Sequence, residues 1–274
     1  MKFRCRMVDV VAMRDFTNIV NIISRITKKC TLRISPNELC FGVSGDRTSM
    51  VWAELSQAHF FIEYTMNGVT EEQNEIYLEF DPSMLARSLG SLRMTAKSVK
   101  MKLTNKRQPC LTLEIELASL SIESRQCLHD VPVRVIPRRE WPEHQAPNIP
   151  EFDISVDMPQ LKQVKHIVER MKNMSSQLVL SADKNGLFVL EVETDSATVS
   201  TNFQNLQVWS CSQQDREEKV SVTIDIKTFC MFMAWDVVHP DGVKCNILQD
   251  KMINLFLHLA DHLKIHYFLP SIAV

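Results

Sequence analysis

The feature that most constrains this chain is a weak internal duplication at an offset of about 145 residues. Residues 19–41 read as a helix, a strand (Thr31-Leu32-Arg33-Ile34-Ser35), a turn and a second strand opening Leu39-Cys40-Phe41. Residues 164–190 repeat that order. Arg170 stands in the place of Arg25, the strand is Gln177-Leu178-Val179-Leu180-Ser181, and the next strand opens Leu187-Phe188-Val189. Further on, Ile76-Tyr77-Leu78-Glu79-Phe80-Asp81 runs into an apolar helix containing Met84, Leu85 and Leu89. Val222-Thr223-Ile224-Asp225-Ile226-Lys227 runs into one containing Cys230, Met231 and Trp235. The endings also agree, residues 99–103 and 111–115 answering to 243–247 and 255–259. Four elements in one order predict two similar α+β domains, residues 1–131 and 151–274. Between them, residues 132–150 hold prolines at 132, 137, 142, 147 and 150. Each fixes φ and removes a backbone donor, so this stretch is predicted to be an extended connector.

A chain of 274 residues with 45% hydrophobic content can supply two cores. No apolar run approaches the roughly eighteen residues that a membrane span needs, so no membrane is expected. The N-terminus, Met1-Lys2-Phe3-Arg4-Cys5-Arg6, alternates charge and bulk and does not read as a signal peptide. The eight cysteines are scattered without a Cys-x-x-Cys pair, which fits free thiols in a reducing compartment.

The net charge of −2 argues against an ordinary basic nucleic-acid binder unless charge is segregated, and it is. The first predicted helix, about residues 10–29, places Phe16, Ile19, Val20, Ile23 and Ile26 on one side and Arg14, Asn18, Asn21, Arg25 and Lys28 on the other. A second, about 81–97, turns Arg87 and Lys97 outward. A third, about 157–173, sets Leu161, Val164, Ile167, Val168 and Met171 against Lys162, Lys165, His166, Lys172 and Asn173. Together with a fourth over 225–236, these helices hold 12 Lys/Arg against 6 Asp/Glu, net +6, which leaves −8 for the rest of the chain. A solvated helix face carries such charge in any soluble protein. Three basic helices on an acidic body also suit a surface that meets phosphates.

Chemistry finds little support. With six glycines there is no phosphate-cradling loop, so an enzyme, a cofactor and a metal site are not expected. His258, His262 and His266 recur every four residues but lie in segments that read as strands, which points to a surface or interface role. Glu71-Glu72 and Glu191/Glu193 suit acidic turns and strand exteriors, and Cys110 and Cys230 read as buried thiols.

The residues resemble a known family along the whole chain. The start Met1-Lys2-Phe3-Arg4, the run Cys30-Thr31-Leu32-Arg33-Ile34-Ser35-Pro36 and Asn74-Glu75-Ile76-Tyr77-Leu78-Glu79 look like the Hus-type subunit of the DNA-damage checkpoint clamp. So do 102–106 with 109–112, Val168-Glu169-Arg170-Met171-Lys172-Asn173, and Tyr267-Phe268-Leu269-Pro270. The most specific match is His129-Asp130-Val131-Pro132-Val133-Arg134-Val135-Ile136-Pro137-Arg138. Residues 42–49 and 202–219 depart from the family's pattern, and both the main subunit and a diverged B-type relative stay open.

The resemblance implies a sliding-clamp (DNA clamp) fold: two similar domains, each with antiparallel sheets and two channel-facing helices. It implies a heterotrimeric ring with two related clamp subunits (the nine-one-one complex), placed on duplex DNA without sequence specificity by an ATP-driven loader. That ring recruits checkpoint and repair proteins in the nucleus, after a cytoplasmic pool before assembly. A non-DNA scaffold built on the duplicated α+β domain is the competing class.

In such a ring the DNA-facing candidates are Arg14, Arg25, Lys28, Lys29, Arg87, Arg93, Lys97, Lys162, Lys165, Arg170 and Lys172. By analogy with other clamps, subunits join through edge strands. The candidates are 111–117, with Leu111, Leu113, Ile115 and Leu117, and 197–203, with Val199, Thr201 and Phe203. Trp141 and Ile136 are candidates to line a groove for partner peptides along the connector; Trp141 serves equally well as an anchor for the connector itself.

Overall fold

In the first half, two of the three helices among the described residues begin on an aspartate whose side chain caps them. The computed structural model describes residues 1–44, 49–90, 92, 96–118, 125–211 and 219–272. Strand β1 (Lys2–Met7) leads into α1 (Val10–Ile26), whose cap Asp9 accepts the Ala12 amide at 2.8 Å. Strands β2 (Cys30–Ile34), β3 (Glu38–Val43) and β4 (Met50–Ser56) follow, then the short α2 (Gln57–Phe60), β5 (Glu63–Asn67) and β6 (Ile76–Phe80). Helix α3 (Pro82–Leu89) starts on Asp81, which accepts from the Ser83 amide, with Pro82 at the position that needs no donor. Strands β7 (Ala96–Asn105), β8 (Pro109–Leu117), β9 (Arg125–Pro132) and the two-residue β10 (Arg134–Val135) complete this half.

The second half repeats the order. It runs β11 (Ile154–Asp157), α4 (Leu161–Met171), β12 (Gln177–Ala182), β13 (Phe188–Glu193), β14 (Thr198–Phe203), β15 (Val208–Cys211) and β16 (Val220–Asp225). Then come α5 (Ile226–Phe232), continued by a 3-10 turn over Met233–Val238, β17 (Gly242–Leu248), β18 (Met252–Leu259) and β19 (Leu263–Pro270).

The chain divides into two compact units. The first is 1–43 with 52–146 and 261–263; the second is 44–51 with 147–260 and 264–274. Within the first, β5-β1-β7-β8-β9 form an antiparallel sheet, and β10-β6-β2-β3-β4 follow one another in a second. Within the second, β14-β13-β12-β16 form an antiparallel sheet, and β19-β18-β17-β11-β15 follow one another. Apart from β10 and the short α2, which have no counterpart among the described residues, the two strand orders match, so the duplication in sequence is a duplication of topology.

Each unit closes its own core. In the first, Phe16 of α1 is fully buried, its ring 6.0 to 6.4 Å from those of Phe41, Phe60 and Phe61. In the second, Phe229, Phe232 and Trp235 are fully buried, and Phe232 meets Tyr267 at 5.3 Å. The β12–β13 turn depends on Gly186. Its φ is +78°, and a Cβ there would lie 2.2 Å from the Leu206 carbonyl oxygen, so only glycine fits.

Two predicted elements differ. Helix α3 ends at Leu89 on the Gly90 cap rather than near 97, and Lys97 instead stands at a register shift in β7 between Ala96 and Ser98. The connector is extended only in part. Arg134 and Val135 pair as a short strand with Glu79 and Leu78, whereas Arg138–His144 forms a 3-10 turn that tolerates Pro142 because so short a turn uses few backbone donors. Residues 146–150 lack regular structure.

Candidate nucleic-acid interface

The cationic helix faces are built from ordinary amphipathic helices. In α1 the residues facing the core recur every three or four positions, which leaves Arg14, Asn18, Asn21 and Arg25 on the other side. In α4, Leu161, Val164, Val168 and Met171 are buried, while Lys162, Lys165 and Arg170 are exposed. Lys172, its C-cap, is exposed too. Arg87 is exposed on α3, its guanidinium touching the Ser83 carbonyl one turn back. Across α1, α3, α4 and α5 there are seven Lys/Arg and two Asp/Glu, and one of those acids, Asp15, is only 5% exposed. The charge segregation read from the sequence therefore persists within the true helix bounds.

The candidates differ in how free they are. Arg25, Lys28, Arg87, Lys97, Lys162, Lys165, Arg170 and Lys172 have no ion-pair partner among the described residues, so their charge is available to a phosphate. Arg14 touches Asp15 at 3.2 Å and keeps more than half its side chain in solvent. Lys29 is paired: its ammonium lies 2.8 Å from Glu79, which also accepts two hydrogen bonds from Arg134 at 3.0 Å, while 72% of the Lys29 side chain stays in solvent. Arg134 and Lys29 push the Glu79 carboxyl down to about 2, and a pair so exposed holds the ammonium only weakly. Lys28 and Lys29 also lie beyond the end of α1, and Lys97 lies on a strand. Arg93 lies outside the described residues.

The edge-strand expectation changes in the first unit. Strand β8 is bonded on both sides, to β7 and β9, and Leu111, Leu113 and Ile115 are fully buried, with Leu117 half-buried at its end. Continuous burial from Cys110 to Leu113 is what a central strand shows, because both of its faces are covered. Beyond it, β9 has no further partner among the described residues, and it exposes Leu128. In the second unit β14 is an edge strand, with Val199, Thr201 and Phe203 half-buried on one face.

Trp141 and Ile136 do not line an open groove. They form a closed cluster with Tyr77, the indole tilted against the Tyr77 ring at 4.7 Å between centroids and donating to the Ile136 carbonyl at 3.0 Å. The Ile136 amide donates to the Tyr77 carbonyl at 2.9 Å, and Gln145 donates to the Tyr77 hydroxyl. The reading of Trp141 as an anchor for its own connector describes this arrangement.

The histidine triplet does not share a strand face: His258 is on β18, His266 on β19, and His262 in the turn between. Cys110 is buried. Cys230 is half-buried, and burial pushes its thiol up, away from the nucleophilic range. One feature escaped sequence reasoning: a concavity of about 420 Å³ beside α1, lined by Val10, Met13, Arg14, Thr17, Asn18, Asn21, Leu92 and Ala96. Its helical stripe is visible in the sequence, but the strand residue Ala96 that closes it is not.

With that geometry in place, the comparisons are informative. A family model described as Hus1-like protein matches residues 1–273. The chain is 41% identical to Checkpoint protein HUS1 of Homo sapiens, covering 100% of each chain. It is 27% identical to Checkpoint protein Hus1-like of Drosophila melanogaster over 100% of both. It is also 27% identical to Checkpoint protein hus1 of Schizosaccharomyces pombe, over 76% of this chain and 71% of that one.

Proposed function

Because the chain belongs to the Hus1-like family, an α+β family of sliding-clamp fold, we propose that it is one subunit of a heterotrimeric ring that encircles duplex DNA. Its work there is the DNA-damage checkpoint role that its relatives' names state, carried out in the nucleus as a non-enzymatic scaffold for checkpoint and repair factors. In this reading residues 1–131 and 151–274 are two clamp domains, and 132–150 joins them.

The observation that carries the reading is the position of Lys162 and Lys165. Lys162 stands in the first turn of α4, where the helix dipole already carries positive character and a cation is unfavourable, and Lys165 follows one turn later on the same side. Both are exposed and lack ion-pair partners among the described residues, so no ion pair of the fold accounts for them. Phosphates in a channel do. Contacts to phosphate fix position without reading bases, so a ring so lined slides, and enclosure rather than affinity sets its residence time. Each phosphate neutralised adds roughly 0.9 to the log–log salt slope. Arg14, Arg25, Lys28, Arg87, Lys97, Arg170 and Lys172 complete the proposed DNA-facing set.

Subunits join, in this reading, through the edge strands β9 and β14, whose outer backbone groups a neighbour completes. An ATP-driven loader opens and closes the ring. Co-expression with the two related clamp subunits, followed by mass measurement, tests the assembly. The expected product is a 1:1:1 complex; a chain that stays alone, or pairs only with itself, contradicts the proposal and favours a non-DNA scaffold.

A further inference from the structure

The concavity beside α1 has the dimensions and chemistry of a small-ligand site. Its volume of about 420 Å³ falls in the range of ligand pockets, roughly 300–1,000 Å³. Val10, Met13, Leu92 and Ala96 give it apolar walls. Thr17, Asn18 and Asn21 line it along one stripe of α1, and Arg14 stands among them. The Thr17 hydroxyl is already spent on the Met13 carbonyl at 2.7 Å. The side-chain amides of Asn18 and Asn21 have no hydrogen-bond partner among the described residues. No carboxylate lines the cleft, and Asp15 next to Arg14 is buried.

We propose that this cleft accepts an unpaired nucleobase of single-stranded DNA, with Arg14 stacking on its plane and Asn18 and Asn21 bonding its edge. The proposal rests on the clamp reading, which puts α1 beside nucleic acid. Charge complementarity favours this occupant over an apolar peptide. The cleft lies on the same helix face as Arg25, and two amides with no partner among the described residues would lose water against an apolar side chain without gaining a bond. Amide groups pair with base edges in two-point contacts, and a guanidinium plane stacks on an exposed base. The base must already be unpaired, because extracting one from a duplex costs a few kcal/mol that a single strand does not incur. Duplex passing the same face would meet Arg14 and Arg25 through its phosphates alone.

The test titrates the full chain with a mixed-sequence single strand and with the matching duplex at one fixed salt concentration, reading fluorescence anisotropy. The double variant Asn18→Leu, Asn21→Leu keeps side-chain size and favours the helix. It is expected to lose about tenfold in single-strand affinity, the scale of one two-point base contact, while duplex affinity moves less than twofold. Arg14→Lys, which keeps the charge and removes the plane, is expected to lower single-strand affinity by a larger factor than duplex affinity. Circular dichroism reports that each variant is folded. Unchanged single-strand affinity would return the cleft to an apolar protein partner and overturn the assignment, and so would an equal fall on both strand types. The substitutions are not expected to alter the mass of the co-expressed assembly. A failed strand test with an intact 1:1:1 complex therefore removes the base site alone, and absence of the complex removes the reading beneath it.

Discussion

Helices α1 and α4 occupy the same place in the order of elements, and they are held in opposite ways. Helix α1 has 17 residues, nine of them buried, a side-chain cap at Asp9, and a buried aromatic partner set around Phe16. Helix α4 has 11 residues, four of them buried, and no side-chain cap at Gln160. The weakly held helix is the one that bears three exposed cations. A helix under selection for its own stability would put an acid at its N-terminus, as Asp9 does for α1, and cations at its end. Helix α4 keeps Arg170 at its end and adds Lys162 at the wrong one. The comparison therefore separates residues that hold the fold from residues that the fold holds out.

The largest effect that would sharpen this contrast lies in α1. Phe16→Ala removes a fully buried ring and is expected to cost about 3–5 kcal/mol in chemical denaturation. A loss below about 1 kcal/mol would mean that α1 is no better anchored than its counterpart.

Next comes the charge. Lys162→Glu with Lys165→Glu is expected to weaken binding of the assembled ring to duplex at least tenfold, and to lower its salt slope by roughly 1.8, two phosphates at about 0.9 each. Lys162→Glu alone is expected to raise the melting temperature slightly, since an acid then stands in the first turn of the helix. Opposite signs on binding and stability are the signature of residues kept for a ligand. Equal signs would break the comparison.

The smallest effect concerns the caps. Asp9→Ala is expected to cost about 1 kcal/mol by removing the acceptor for the Ala12 amide, whereas Gln160→Ala, which removes no cap bond, is expected to change thermal stability within error.

The sequence made the duplicated order of elements legible because strand and helix periods differ. It also separated the cationic from the apolar side of α1 and α4, although Ile26 and Ile167 are only half-buried and Asp15 and Thr17 are buried. What it hid depends on neighbours distant in the chain. That β8 is central follows only once β9 pairs with it, and β9 spells Arg125-Gln126-Cys127-Leu128-His129, too polar to announce a strand. Prolines in 132–146 suggested an extended strap because the partner that folds it, Tyr77, lies more than fifty residues earlier. Lys29 looked like its neighbour Lys28 until Glu79 stood beside it. The candidate site was thus visible as a pattern of charge. Which charges are free was visible only in three dimensions.

The most direct test of the central claim is topological. The assembled ring, loaded with its ATP-driven loader onto closed circular duplex, is washed in high salt, and the DNA is then cut once. The account predicts that the protein stays on the circle through the wash and leaves when the ends are made. Loss in salt before cutting, or retention after it, would contradict encirclement.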